Sequence, residues 1–191
     1  MANPVPRSSL ITVAATRSSC YHSTISRRLE GPRRAPSPPS EPEVPQMKGN
    51  PKIIEALNKV LELEIGAILQ YLHHHWTGEG LESASILPLF QKTAMDEMKH
   101  AGRVAERINF LEGDPSTRPA PVKKGGDLKK MMQDDLAAEY EAIEFYKQVI
   151  KLCAELGDST TRLMMEEIVT QEEGHADLWE TILQKSGKPL P

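Results

Sequence analysis

The sequence predicts an all-α protein: a four-helix bundle with a long crossover between its second and third helices. Three observations carry this. From Asn50 onward apolar residues recur at helical spacing, and no strand-like alternation persists. Clusters of glycine and proline cut that pattern into four stretches. Each stretch keeps one seam of apolar residues three and four apart, the spacing of a helix that buries one face.

The first helix is predicted over about residues 51–76. Asn50 is a capping residue, and Pro51 stands where a missing N–H costs nothing. Its seam reads Leu57, Leu61, Glu64, Ile68, Tyr71 and His75, and Thr77-Gly78-Glu79-Gly80 ends it. The second helix is predicted over about residues 83–111, with Pro88 in its first turns and Gly113 as its stop. Its seam is Phe90, Ala94, Glu97, Ala101, Val104, Ile108 and Leu111. Residues 113–126 hold three prolines and three glycines, a connection long enough to cross from one end of the bundle to the other. The third helix starts at Asp127 as N-cap and ends at Gly157, with Leu128, Met132, Asp135, Glu139, Ile143, Tyr146, Ile150 and Cys153 on its seam. Asp158-Ser159-Thr160 opens the fourth, which reaches about residue 184 on a seam of Met165, Ile168, Glu172, His175, Trp179 and Ile182.

The bundle is expected over residues 50–185, followed by a short tail at 186–191. Residues 1–49 read as a disordered extension, because the proline-rich run at 31–46 cannot bury a core. Residues 1–29 carry arginine, serine and threonine but no acid, which suits either an organelle transit peptide or sequence upstream of a true start at Met47. The expected location is cytoplasmic, or mitochondrion or plastid if the leader is genuine. Residues 51–191 hold sixteen basic and twenty-four acidic residues, which argues against a nucleic-acid partner and suits cations. No apolar run is long enough to span a membrane. Two cysteines without a CxxC spacing suit a reducing compartment.

Each seam places one glutamate among apolar neighbours: Glu64, Glu97, Glu139 and Glu172. Two of them have a histidine three residues on, in Glu97-Met98-Lys99-His100 and Glu172-Glu173-Gly174-His175. Residues three apart on a helix share a face, so each pair offers an oxygen and a nitrogen to one point. A lone ionised carboxylate in a dry core costs many kcal/mol unless it finds a partner. Two divalent cations would balance four facing carboxylates, and oxygen-plus-imidazole donors suit iron or manganese. The set matches the general pattern of di-iron and di-manganese carboxylate bundles. The bland alternative makes all these glutamates solvated-face charges, as expected for the adjacent Glu62, Glu141 and Glu173. Of His73, His74 and His75, at most one can face the core. Tyr71 shares a face with Glu64 and can hydrogen-bond a ligand or satisfy any buried carboxylate. Asp96 is a candidate partner for a histidine ring. Met98 should point away from the seam, either as a packing residue or as a haem ligand at a subunit contact.

Taken together these motifs resemble bacterioferritin, from Met47 to about Leu183. The segments 47–50, 64–71, 96–101, 110–113, 135–137 and 172–175 carry the resemblance. It implies a ferritin-like antiparallel bundle binding two iron ions per subunit. Glu97 and Glu172 would bridge the ions, Glu64 and Glu139 would be terminal ligands, and His100 and His175 would complete the set. It implies a haem b held by Met98 across a two-fold axis, hence a homodimer at least and a 24-subunit shell as the larger possibility. It implies a ferroxidase acting on Fe(II) and O2 in iron storage and homeostasis. One departure stands out: bacterioferritins carry a short fifth helix, whereas only sixteen residues follow His175 here. The alternative function is a haem-bridged storage or binding protein with a slow or vestigial di-iron centre. A rubrerythrin-like peroxide reductase is disfavoured by the absence of a CxxC site.

Overall fold

The computed structural model describes residues 48–185, and the expectations for the amino-terminal extension and for the tail at 186–191 lie outside them. Four helices make up the described chain: α1 (Pro51–Thr77), α2 (Ser83–Phe110), α3 (Leu128–Leu156) and α4 (Ser159–Lys185). Most boundaries have a local cause. The Asn50 side chain accepts a hydrogen bond from the Lys52 amide (2.9 Å) and the Asp127 side chain one from Lys130 (2.8 Å), so both helices begin with a satisfied donor. Asp158 caps α4 through the Thr161 amide at 2.9 Å. Gly157 ends α3 with φ 76°, a left-handed turn that a Cβ would strain. At the end of α2 the left-handed residue is Glu112 (φ 62°), not the expected Gly113. Gly113 is needed for another reason: a Cβ there would lie 2.5 Å from Ile54 Cγ2. Pro88 lies inside α2 in its second turn, within the first turns as the sequence predicts.

Cross-helix contacts fix the directions. Between α1 and α3, Glu64 meets Tyr146, Tyr71 meets Glu139 and His74 meets Asp135, so the two run antiparallel. Between α2 and α4, Glu97 meets His175, Arg103 meets Glu167 and Arg107 meets Asp158, again antiparallel. The segment joining α2 to α3 returns along the length of α1. It is held by residues at every fourth position of that helix. Asn58 bonds the Asp114 carbonyl (3.1 Å) and the Ser116 amide (2.6 Å). Glu62 takes the Ser116 hydroxyl (2.7 Å), and its carbonyl takes the Ala120 amide (2.7 Å). Gly66 underlies Ala120, Gln70 accepts from the Lys123 amide (2.8 Å), and His74 donates to the Lys123 carbonyl (3.0 Å). Rows of residues four apart slant across a helix surface, which gives the crossover its track.

Two buried apolar clusters occupy the two ends. One includes Ile53, Leu57, Val60, Val104, Ile108, Val149, Cys153, Met165 and Ile168. The other includes Tyr71, Ile86, Phe90, Ala94, Leu128, Met131, Met132 and Trp179. By position along each helix, a polar layer of six residues separates them. No helix among the described residues is long and apolar enough to cross a membrane.

Candidate metal centre

All six sequence-predicted ligands, Glu64, Glu97, His100, Glu139, Glu172 and His175, are buried in that layer. They form two groups of four. Glu64, Glu97, His100 and Glu172 each offer one ligand atom, all within 4.8 Å of one another, and so do Glu97, Glu139, Glu172 and His175. Glu97 and Glu172 belong to both. The helical spacing makes this inevitable once α2 and α4 face each other, since each Glu-x-x-His presents both side chains to the same interior.

The geometry is nearly two-fold. His100 Nδ1 lies 3.1 Å from Glu97 Oε2, 2.9 Å from Glu172 Oε1 and 3.7 Å from Glu64 Oε2. His175 Nδ1 lies 3.1 Å from Glu172 Oε2, 2.9 Å from Glu97 Oε1 and 3.8 Å from Glu139 Oε1. Each outer glutamate carries a tyrosine. Tyr146 donates to Glu64 at 2.8 Å, and Tyr71 donates to Glu139 while accepting from the Trp179 indole at 2.8 Å.

The electrostatics divide the four carboxylates. Burial pushes Glu64 well above the usual carboxylate range, with the like charges of Glu97 and Glu172 adding to it. Burial does the same to Glu139, again with Glu97 and Glu172 contributing. Glu97 is buried too, but the hydrogen bond from His100 and the nearby His175 ring outweigh that and hold it at about 2. Burial opposes charge on His175, yet Glu172 and Glu97 raise it to about 9. His100 is raised further by Glu172, Glu64 and Glu97 against the same opposition. Without a cation, protons therefore perform the neutralisation. They do it incompletely. Glu97 Oε1 and Glu172 Oε1 receive no aligned hydrogen bond despite the nearby rings, and His100 Nε2 has no partner. Native interiors rarely tolerate such orphans, and donors of this chemistry, converging from four helices, fit divalent cations.

Three sequence expectations need correction or completion. His74, not His75, is the buried member of the histidine run: it is fully buried, with Nδ1 2.9 Å from Asp135 Oδ2. The seam after Tyr71 advances by three residues there instead of four. Gln70 is also buried although no apolar seam includes it; its signal is the four-residue row it shares with Asn58, Glu62 and His74. Asp96 does not hydrogen-bond a histidine. It is 3.9 Å from His175 Nε2 and pairs with Lys92 (2.9 Å) and Lys99 (2.7 Å). Burial opposes ionisation of Asp96, but those two lysines hold its carboxyl at about 2. Met98 is 47% exposed and faces away from the polar layer, as expected.

Against known proteins, residues 54–187 match the family model of the ferritin-like domain. The chain belongs to the ferritin-like family. Within that family its relatives include the bacterioferritin of Brucella melitensis biotype 1, 36% identical over 143 residues, covering 74% of this chain and 89% of that protein. The bacterioferritin of Rhodobacter capsulatus is 37% identical over 136 residues, covering 71% and 84%. Among solved structures, Rhodobacter capsulatus bacterioferritin, described as having a metal-free dinuclear site and a haem iron, superposes with a TM-score of 0.67 at 34% identity, covering 72% of this chain and 87% of that one. A ferritin-like di-iron carboxylate protein of Bacillus anthracis superposes at 0.67 with 31% identity, covering 69% and 95%. Bacterioferritin is thus the group this chain resembles, and that kinship supports a role in iron storage.

Proposed function

We propose that the chain is a ferroxidase that oxidises Fe(II) with O2 in iron storage and homeostasis. The observation that supports it most is the sharing of Glu97 and Glu172 between two groups of four donor atoms. Glu64, His100 and the two shared carboxylates would hold one Fe(II). Glu139, His175 and the same shared carboxylates would hold the other. Carboxylates favour Fe(III) over Fe(II) electrostatically, so the site lowers the cost of oxidation. Two Fe(II) held there would give up one electron each, and the two electrons with two protons would carry O2 to hydrogen peroxide. The chain's own part is to place the donors, to orient Glu64 and Glu139 through Tyr146 and Tyr71, and to surrender the protons it holds. Manganese suits the same donors. In iron-dependent activity, stopped-flow absorbance should show rapid O2-dependent Fe(II) oxidation in the native chain. Glu97→Ala should lose it by about 100-fold or more while remaining helical by circular dichroism. An unchanged rate would remove the assignment.

Haem b at a homodimer interface is part of the same reading. Met98 and Met95 are both exposed (47% and 46%) and sit three residues apart on the outer face of α2, so a thioether ligand stands beside further apolar surface. A two-fold axis would bring up Met98 from a second copy as the other residue holding the haem, and a 24-subunit shell would extend the assembly. The expected location is cytoplasmic, in keeping with the bacterial relatives.

A further inference from the structure

A cavity of about 220 Å³ opens between α1, α3 and the crossover. Its floor is formed by Glu64, Glu97, Glu139 and Glu172. Its walls include the small residues Gly66, Ala67, Ala138 and Ala142 beside Tyr71 and Tyr146, and Ala120, Pro121 and Lys123 form the outer side. Pro121, Lys123 and Glu141 are exposed, so the cavity lies between the four buried carboxylates and the surface, with the crossover as its outer wall.

The outer wall has no secondary structure of its own and depends on what grips it. At one end Ala120 rests on Gly66, where a Cβ would come within 3.0 Å of Ala120 Cβ and 3.1 Å of its backbone N and O. At the other end both backbone polar groups of Lys123 are captured. Its N–H donates to Gln70 Oε1 (2.8 Å), and its carbonyl accepts from His74 Nε2 (3.0 Å). Gln70 and His74 are one helical turn apart and share a single anchor on α3. Gln70 Nε2 donates to Asp135 Oδ1 (2.8 Å), and His74 Nδ1 lies 2.9 Å from Asp135 Oδ2. All three side chains are buried, an expensive arrangement that is kept only when fully satisfied.

We propose that Gln70, His74 and Asp135 are positioning residues for metal uptake: by clamping Lys123 they fix the wall of the passage to the carboxylates and so set how fast a cation reaches them. This rests on the proposed metal centre. None of the three belongs to either group of donor atoms, so the clamp governs the rate of loading and leaves the capacity unchanged.

Co(II) is the probe, because its visible absorption reports site occupancy without oxidation. In stopped-flow mixing, Gln70→Leu should raise the Co(II) on-rate by about threefold or more, as for a loosened gating segment. Amide exchange of Ala120, Val122 and Lys123 should quicken in parallel. Lys123→Pro deletes the clamped N–H without altering any helix and should act in the same direction, which covers the case in which Gln70→Leu does not fold. Ala138→Leu, filling the passage from α3, should slow the on-rate by a similar factor. All should still bind two Co(II) per chain. A native on-rate in Gln70→Leu, or in Lys123→Pro where the former is unfolded, overturns the proposal whatever Ala138→Leu does. Failure of the native chain to take up Co(II) removes the metal centre itself and this inference with it.

Discussion

Glu97 Oε1 on α2 lies 2.9 Å from His175 Nδ1 on α4, and Glu172 Oε1 on α4 lies at the same 2.9 Å from His100 Nδ1 on α2. The reciprocity means that each shared carboxylate faces a ring from the opposite helix. Glu97 is held charged by those rings, whereas Glu64 and Glu139 are pushed towards protonation.

That division predicts different costs for the same substitution. Glu64→Gln replaces a group that burial already drives towards neutrality, so in EDTA its stability should stay within about 1 kcal/mol of native, an ordinary hydrogen-bond adjustment. Glu97→Gln strips two buried rings of one of the two carboxylates they share, Glu172 being the other, and should cost more, about 3 kcal/mol. Chemical denaturation of both variants measures this, and equal losses would contradict the assigned charges.

Cation binding should acidify the solution. Metal ligands must be deprotonated, and here Glu64, Glu139, His100 and His175 resist losing their protons. The sign follows from the raised values. Below about 9 His175 holds a proton that a cation must displace, so apparent affinity falls as pH falls. The raised carboxyl groups of Glu64 and Glu139 steepen the loss on the acid side. An indicator dye in weak buffer at neutral pH should record more than about one proton released per chain on Co(II) addition.

Cations should also stabilise the fold. A ligand that binds only the native state at a hundred times its Kd contributes about 2.7 kcal/mol, enough to raise Tm by several degrees. Calorimetry with and without Co(II) should show the rise in the native chain and its loss in Glu97→Ala.

Met98→Leu should abolish the Soret band of protein reconstituted with haem while leaving Fe(II) oxidation within about twofold of native, because the side chain points away from the polar layer. A retained band would assign the haem elsewhere or remove it.

Most of the bundle is legible in the sequence because helix period, caps and breakers agree along the chain. Asn50-Pro51, Asp127 and Gly157 mark ends that the structure keeps. The six donors are legible for a sharper reason. An acid that interrupts the apolar seam at one level in all four helices must be buried with its three counterparts, and such a cluster demands a source of positive charge. What the sequence hides is the polar row beneath the crossover. Asn58, Glu62, Gln70 and His74 look like an ordinary half-wet face until a loop lies over them. The loop's path is set by tertiary contacts that local pattern cannot encode. Spacing alone favours His75 over His74 because a seam may step by three or four, and only the position of Asp135 decides between them.

The crossover has one more consequence. It divides the chain into two hairpins, α1 with α2 and α3 with α4, and each contributes one complete Glu-plus-Glu-x-x-His set. On the proposed reading each cation takes three donors from its own hairpin and one from the other. The ion pair therefore acts as a removable staple between two halves of the molecule. Cutting the backbone within residues 113–126 would leave two fragments whose reunion through the shared apolar clusters metal should strengthen.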